Sequence, residues 1–263
     1  MTERRYRISV RLGNWYEDQR LKEDADKEHQ ERALQGQLSC QKEDFLVENL
    51  QRPVELSPSP DGMVHFGDVV MLVNAGGESG QRSALSINAT VNPFRRIPYP
   101  AIESPCGVSG GKSLQPCART AFVITSVGGE SDTGVLHFDQ AFALKTASGF
   151  AGGLYLKSHL RSFQKCAKVS RLQEVNLEDA ATFESWWKIV YFDPQERLEF
   201  EGLPVPANER VLVVHCKTNQ ALAVVENHSL WTVFGRESEV VAHTFLDSHK
   251  AERDNNHWLL KNV

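Results

Sequence analysis

Gly110-Gly111-Lys112-Ser113 ends like a phosphate-binding loop, in which backbone N–H groups cradle phosphate and a lysine reaches it. That pattern wants its first glycine where Cys106 stands; Gly107 is one residue out of register, and no strand-then-helix context surrounds it. His215-Cys216, His243, His249 and His257 gather toward the C-terminal end, but zinc sites want closely spaced pairs such as CxxC or HxxxH, which are absent. Ser158-His159 and Ser248-His249 lack the G-x-S-x-G elbow of a nucleophilic serine, and a triad is defined by spatial roles rather than adjacency. Cys166 stands by Lys165 and Lys168, whose charges favour a thiolate. An enzyme reading would have to rest on Cys166, Cys216 or a serine near a histidine. The residues point to no catalytic, cofactor or metal site.

The elements behind these residues repeat. Gly67-Asp68 is a turn signal, followed by the strand-like run Val69–Val73. Phe66–Leu72 aligns with Phe138–Leu144 and, less closely, with Ala207–Val213, in steps of 72 and 69 residues (138 − 66 and 207 − 138). A second alternating run recurs as Ala84–Ile87, Leu154–Leu156 and Ala221–Val224. A third recurs only twice, as Gln173–Val175 and Ser238–Val240. A fourth starts on an aromatic: Phe122–Ile124, Trp187–Ile189 and Trp258–Leu260. Three copies of about four short strands, none able to bury its apolar face alone, predict a closed all-β body; the β-trefoil is the simplest threefold answer. Phe122, Trp187 and Trp258 then become equivalent core or barrel-cap residues. Asn88–Arg119, rich in Pro, Gly, Ser and Cys, reads as a long irregular insertion where the first copy lacks its third strand.

Ahead of this body, Tyr6, Ile8, Val10 and Leu12 alternate with Arg5, Arg7, Ser9 and Arg11, so residues 1–16 read as an extended arm. The arm docks on the body of this chain or on another chain. Residues 17–35 read as a polar helix with acid-first pairs Asp18–Lys22, Glu23–Lys27 and Glu28–Arg32. Its thin apolar stripe fits either a solvated helix or one laid on a partner. Leu38, Phe45, Leu46 and Leu50 mark a second helical stretch, and Pro53, Pro58 and Pro60 a linker. The expected division is 1–61 for arm, helix and linker, and 62–263 for the β body, with repeats at about 64–127, 135–192 and 205–262.

The chain carries a formal net charge of −5, whereas nucleic-acid binders usually show a basic excess. Five scattered cysteines and an N-terminus without an apolar run point to a reducing compartment and no signal sequence. No apolar run is long enough to cross a membrane.

Several stretches carry a resemblance: Arg11-Leu12-Gly13-Asn14-Trp15-Tyr16-Glu17-Asp18, Asp193-Pro194-Gln195, Glu201–Asn208, Glu239–His249 and Asn256-His257-Trp258. Together they closely resemble the family of cilia- and flagella-associated protein 161, over nearly the whole chain. The body also resembles the MIR domain, a β-trefoil module, through Leu154–His159 and Leu172–Val175. The family resemblance implies a microtubule inner protein. Such proteins sit in the lumen of the doublet microtubules of motile cilia, bound to tubulin and to neighbouring inner proteins, and stabilise the doublet against beating. It implies no catalysis, cofactor, nucleic acid or membrane. Because the tubulin surface is largely acidic, Arg4, Arg5, Arg7 and Arg11, with Trp15 beyond them, are the expected partner-binding residues. The competing expectation is a cytosolic β-trefoil binding module for a glycan or peptide, for which Trp231 is the one aromatic left in an exposed position.

Overall fold

The computed structural model describes residues 11–77, 80–91, 101–128 and 133–262. They fall into two compact units, one containing residues 11–45 and the other running Leu46–Thr90 and Ala101–Val263.

The first unit is dominated by α1 (Arg11–Leu34). Residues 11–16, expected to be extended, are therefore helical. The short alternation that reaches Leu12 does not outweigh the strong helix formers that follow, and from Arg11 onward the helix wins. The helix is held by Arg20–Glu23 at 3.4 Å, Asp24–Lys27 at 3.8 Å and Glu28–Arg32 at 3.6 Å; only the last is one of the pairs expected from the sequence. Gly36 takes a left-handed φ of 66° after it, as a glycine past a helix end commonly does. A second helix, α2 (Ser39–Leu50), follows, and its Leu46 and Leu50 are fully buried in the core of the second unit.

The second unit is a β-trefoil of twelve strands. The first repeat contributes β1 (Val69–Asn74), β2 (Ser83–Asn88), β3 (Cys106–Gly111) and β4 (Ala121–Ser126). The second contributes β5 (Ala141–Thr146), β6 (Tyr155–Ser158), β7 (Gln173–Glu178) and β8 (Trp187–Tyr191). The third contributes β9 (Arg210–His215), β10 (Leu222–Thr232), β11 (Gly235–Ala242) and β12 (His257–Lys261). Outer strands β1, β4, β5, β8, β9 and β12 close into a ring of antiparallel pairs. Hairpins β2–β3, β6–β7 and β10–β11 cap it, and β3, β7 and β11 pair with one another in a triangle. A ring has no free edge strand to protect.

The threefold order extends to single atoms. Buried Val64, Leu136 and Val205 form a cycle: Val64 N–H donates to Val205 O (2.9 Å), Leu136 N–H to Val64 O (2.8 Å) and Val205 N–H to Leu136 O (2.8 Å). Gly67, Asp139 and Asn208 sit at equivalent turns with φ of 89°, 62° and 64°. Their N–H groups donate to Ile124, Ile189 and Leu260 at 2.7, 2.8 and 2.9 Å. Gly, Asp and Asn are the residues that tolerate this left-handed backbone. Phe122, Trp187 and Trp258 are fully buried, and both indoles donate at 2.9 Å, Trp187 to Leu156 O and Trp258 to Leu222 O.

The stretch 88–119 is not wholly irregular: β3 lies within it and supplies the missing third strand. The proline-marked stretch 53–60 is stitched onto the body. Pro53 bridges to Cys117, Ser57 N–H donates to Val69 O at 3.0 Å, and Leu56 packs with Met71, Val73 and Ala84.

Candidate functional site

The residues that suggested chemistry are absorbed into the frame. Gly110 and Gly111 end β3, with Gly110 paired to both Leu85 and Ser238. A Cβ on Gly110 would lie 3.2 Å from Ser83 Oγ, and one on Gly111 would run into Ser86 Oγ and meet Glu237 Oε1 at 3.3 Å. These glycines are there for close strand packing, and a strand takes the place of the open cradle that phosphate needs.

The Ser158–His159 pair is equally committed. Buried Ser158 donates its hydroxyl to Glu174 O at 2.7 Å and accepts from Gln173 Nε2 at 2.7 Å. His159, just beyond β6, faces carboxylates with both ring nitrogens: Nε2 to Glu178 Oε1 at 2.7 Å and Nδ1 to Glu184 Oε2 at 2.9 Å. Lys157 reaches Glu178 at 2.9 Å and Lys217 reaches Glu184 at 2.8 Å. Burial works to raise the Glu178 pKa, but hydrogen bonds from Lys157 and His159 outweigh it and hold it below the ordinary carboxylate value. Glu184 is lowered chiefly by the Lys217 hydrogen bond. His215 is pushed down by burial; its ring meets Thr218 Oγ1 at 2.8 Å and Glu184 O at 2.9 Å. The cluster is an electrostatic staple joining the β6–β7 hairpin, the 183–185 turn and β9.

The other histidines are dispersed. His243 lies edge-on to Phe245 at 4.7 Å, His257 meets Asp254 at 3.0 Å, and His249 caps an exposed turn through Asp247. Among the described residues no group of three or more His, Cys, Asp or Glu is arranged to hold a metal. Half-buried Cys166 contacts Phe163 O at 3.7 Å and Arg171 Nη1 at 3.8 Å, and burial raises the pKa of Cys216.

Of the expected partner-binding residues, Arg4, Arg5 and Arg7 lie outside the described residues. Arg11 is the first residue of α1, and Trp15 is 66% exposed one turn on, beside exposed Tyr16. Residues 15–32 are exposed without a break. The expectation that Trp231 alone among the aromatics would face solvent is too narrow. Trp231 is 84% exposed on β10 opposite Arg236, but Phe163 is 98% exposed in the β6–β7 loop and Phe183 is half exposed. Aromatic exposure in loops leaves no periodic trace, so the sequence had no signal for Phe163 beyond the run of basic residues around it.

The chain was compared with known proteins. The model of the cilia- and flagella-associated protein 161-like domain matches residues 42–263. Cilia- and flagella-associated protein 161 of Danio rerio is 51% identical over 263 residues, covering 97% of this chain and 87% of that protein. The Mus musculus protein of the same name is 42% identical over 269 residues, covering 99% and 89%. Among solved structures, an SDF2-like protein of Arabidopsis thaliana superimposes with a TM-score of 0.55 at 15% identity, covering 75% of this chain and 94% of that one. The O-mannosyltransferase Pmt1-Pmt2 complex of S. cerevisiae gives 0.55 at 14% identity, covering 80% and 26%. At such identities these two likenesses concern the fold alone.

Proposed function

Because this chain belongs to the family of cilia- and flagella-associated protein 161, we propose that it is a non-enzymatic structural protein of the ciliary and flagellar axoneme. In the finer reading it is a microtubule inner protein, seated in the lumen of the doublet microtubule against tubulin and neighbouring inner proteins. The family match over residues 42–263 carries this reading. The site geometry supports it: the histidines, serines and glycines that would be needed for catalysis are spent on fixing the trefoil. A rigid trefoil, closed on itself, suits a filler that must bear load. The β body, with residues 46–61 built onto it, forms that filler, and the arm and polar helix of residues 1–35 are the part that reaches, with Arg4, Arg5, Arg7, Arg11 and Trp15 attracted to an acidic tubulin surface.

The test is localisation with extraction. The tagged chain is expressed in a ciliated cell and axonemes are stripped with detergent and then salt. Retention in the salt-resistant doublet fraction is expected. Release with the soluble matrix, or absence from cilia, would sink the inner-protein reading. Charge reversal of the four arginines is expected to lower retention, and unchanged retention would remove the arm from the contact.

A further inference from the structure

We propose that the β6–β7 loop, Leu160–Arg171, is a preformed docking site for an acidic protein surface. The proposal rests on the axonemal reading above for the identity of that surface, which is tubulin. Between its ends the loop carries Arg161, Lys165, Lys168 and Arg171 and no carboxylate, within a chain of net charge −5. All four cations are exposed, and among the described residues none is paired with a carboxylate; the Arg171 guanidinium lies 3.8 Å from the Cys166 sulfur. Phe163 stands almost fully in water, with Leu160 and Val169 also exposed. Exposed apolar groups rimmed by charge mark interaction sites rather than random surface.

The loop is ordered from beneath. Ala167 is buried with Ala223, Val225 and Val241. Its N–H donates to Leu172 O at 2.9 Å, and Ser162 N–H donates to Lys165 O at 2.9 Å. The carboxylate of Glu239, buried on β11, accepts Val169 N–H at 2.9 Å and Ser170 N–H at 2.8 Å. That carboxylate is spent on backbone amides, so it fixes the loop without pairing with its cationic side chains. Arg161, Phe163, Cys166 and Arg171 line one shallow depression. A loop fixed in place loses less entropy on docking than a free tail does.

The charge pattern selects the partner. Nucleic acid presents phosphate well beyond four cations, and this loop offers one aromatic where single-strand binders stack successive bases. A local acidic patch with an apolar recess for Phe163 fits both the size and the sign.

The test uses the purified full-length chain titrated against unpolymerised tubulin dimer, with homopolymeric RNA and phosphatidylserine vesicles as the other two probes. Two variants are compared with the wild type: Arg161→Glu/Lys165→Glu/Lys168→Glu/Arg171→Glu, and Phe163→Ser. Both should melt as the wild type does, since the altered side chains are exposed; if the fourfold variant does not, Lys165→Glu/Lys168→Glu replaces it. Tubulin binding is expected to weaken at least tenfold in the charge variant and severalfold in Phe163→Ser, with the wild-type affinity falling as salt rises. Equal binding by wild type and both variants overturns the proposal, as does a wild-type preference for RNA or vesicles that the charge variant loses. Axonemal retention, measured separately, decides the parent reading.

Discussion

Removing the carboxylate of Glu237 should destabilise the trefoil more than any surface change. Arg119, just before β4, and Glu237 on β11 are both buried. The guanidinium donates from Nη1 to Oε1 at 2.8 Å and from Nη2 to Oε2, while its Nε donates to Ile87 O at 2.7 Å. Ser109 Oγ donates to the same carboxylate at 2.7 Å, and the Phe234 ring lies 3.6 Å from the guanidinium carbon. The pair therefore ties the first repeat's cap hairpin to the third's. Breaking a buried pair from one side leaves an uncompensated charge and costs about 3–5 kcal/mol. Total stabilities run at about 5–15 kcal/mol, so a large share is at stake. For a domain of this size each kcal/mol moves Tm by about 2–4 °C, giving a fall on the order of 6–20 °C for Glu237→Leu. Urea unfolding followed by the fluorescence of buried Trp187 and Trp258 gives the free energy directly. The double variant Arg119→Met/Glu237→Leu should recover most of the loss, because an apolar pair of similar volume is often neutral. If Glu237→Leu costs under about 1 kcal/mol, or the double variant loses the sum of the two single changes, the pair is not coupled as described.

Two further outcomes follow from the same structure. Trp187→Phe and Trp258→Phe each delete an indole N–H, taking one donor from Leu156 O or from Leu222 O, which keeps Asn256 Nδ2 at 3.2 Å, and each opens a small void. The cost should be about 2 kcal/mol from lost hydrogen bond and cavity together, while the reverse change Phe122→Trp should give no matching gain, and urea midpoints that do not move for either tryptophan would contradict the shared role. Stability should also fall in two steps on acidification. Burial holds His215, His243 and His257 below the ordinary 6.5, so as pH drops through that value the unfolded chain takes up protons that the folded chain refuses. Glu178 and Glu184, held below 4.5, lose their contribution as pH falls from there through their lowered values, while Glu174, raised by burial, opposes them. Urea midpoints from pH 8 to about 2 read this out; Glu178→Gln/Glu184→Gln should remove the second step, and a flat midpoint down to pH 5 would refute the first.

The strands legible in the sequence were those built by alternation. β1, β5 and β9 follow a turn residue, and β4, β8 and β12 open on or beside an aromatic, so period and punctuation sufficed. β3 was hidden because its sequence, CGVSGG, has glycines where alternation would put side chains. Those glycines answer neighbours that no local reading can see: Ser83, Ser86, Val224 and Glu237, the last 126 residues from Gly111 (237 − 111), fill the space a Cβ would need. The N-terminal boundary failed for the opposite reason at residues 11–16, where the alternation ran out at Leu12 and the helix formers behind it prevailed. The charge of the β6–β7 loop was in the sequence. Its exposure and rigidity were not, because both depend on a carboxylate from β11.

That strand shows how a symmetric frame comes to carry asymmetric features. Glu237 and Glu239 are two residues apart on β11 and so share a face, where both are buried. A buried carboxylate needs donors, and the two find them in different repeats: Glu237 in Arg119 and Ser109 of the first, Glu239 in the Val169 and Ser170 amides of the second. β3 and β7 both pair with β11, so the triangle of cap strands puts those donors within reach. The barrel turns at Gly67, Asp139 and Asn208 repeat because each closes the same ring. The hairpin loops close nothing, and their sequences are free to diverge. Divergence without support would give a mobile tail, whereas here β11 supplies the support. A cationic loop with an exposed phenylalanine is thereby held by the same strand that locks the cap, so the loop is fixed without loosening the core.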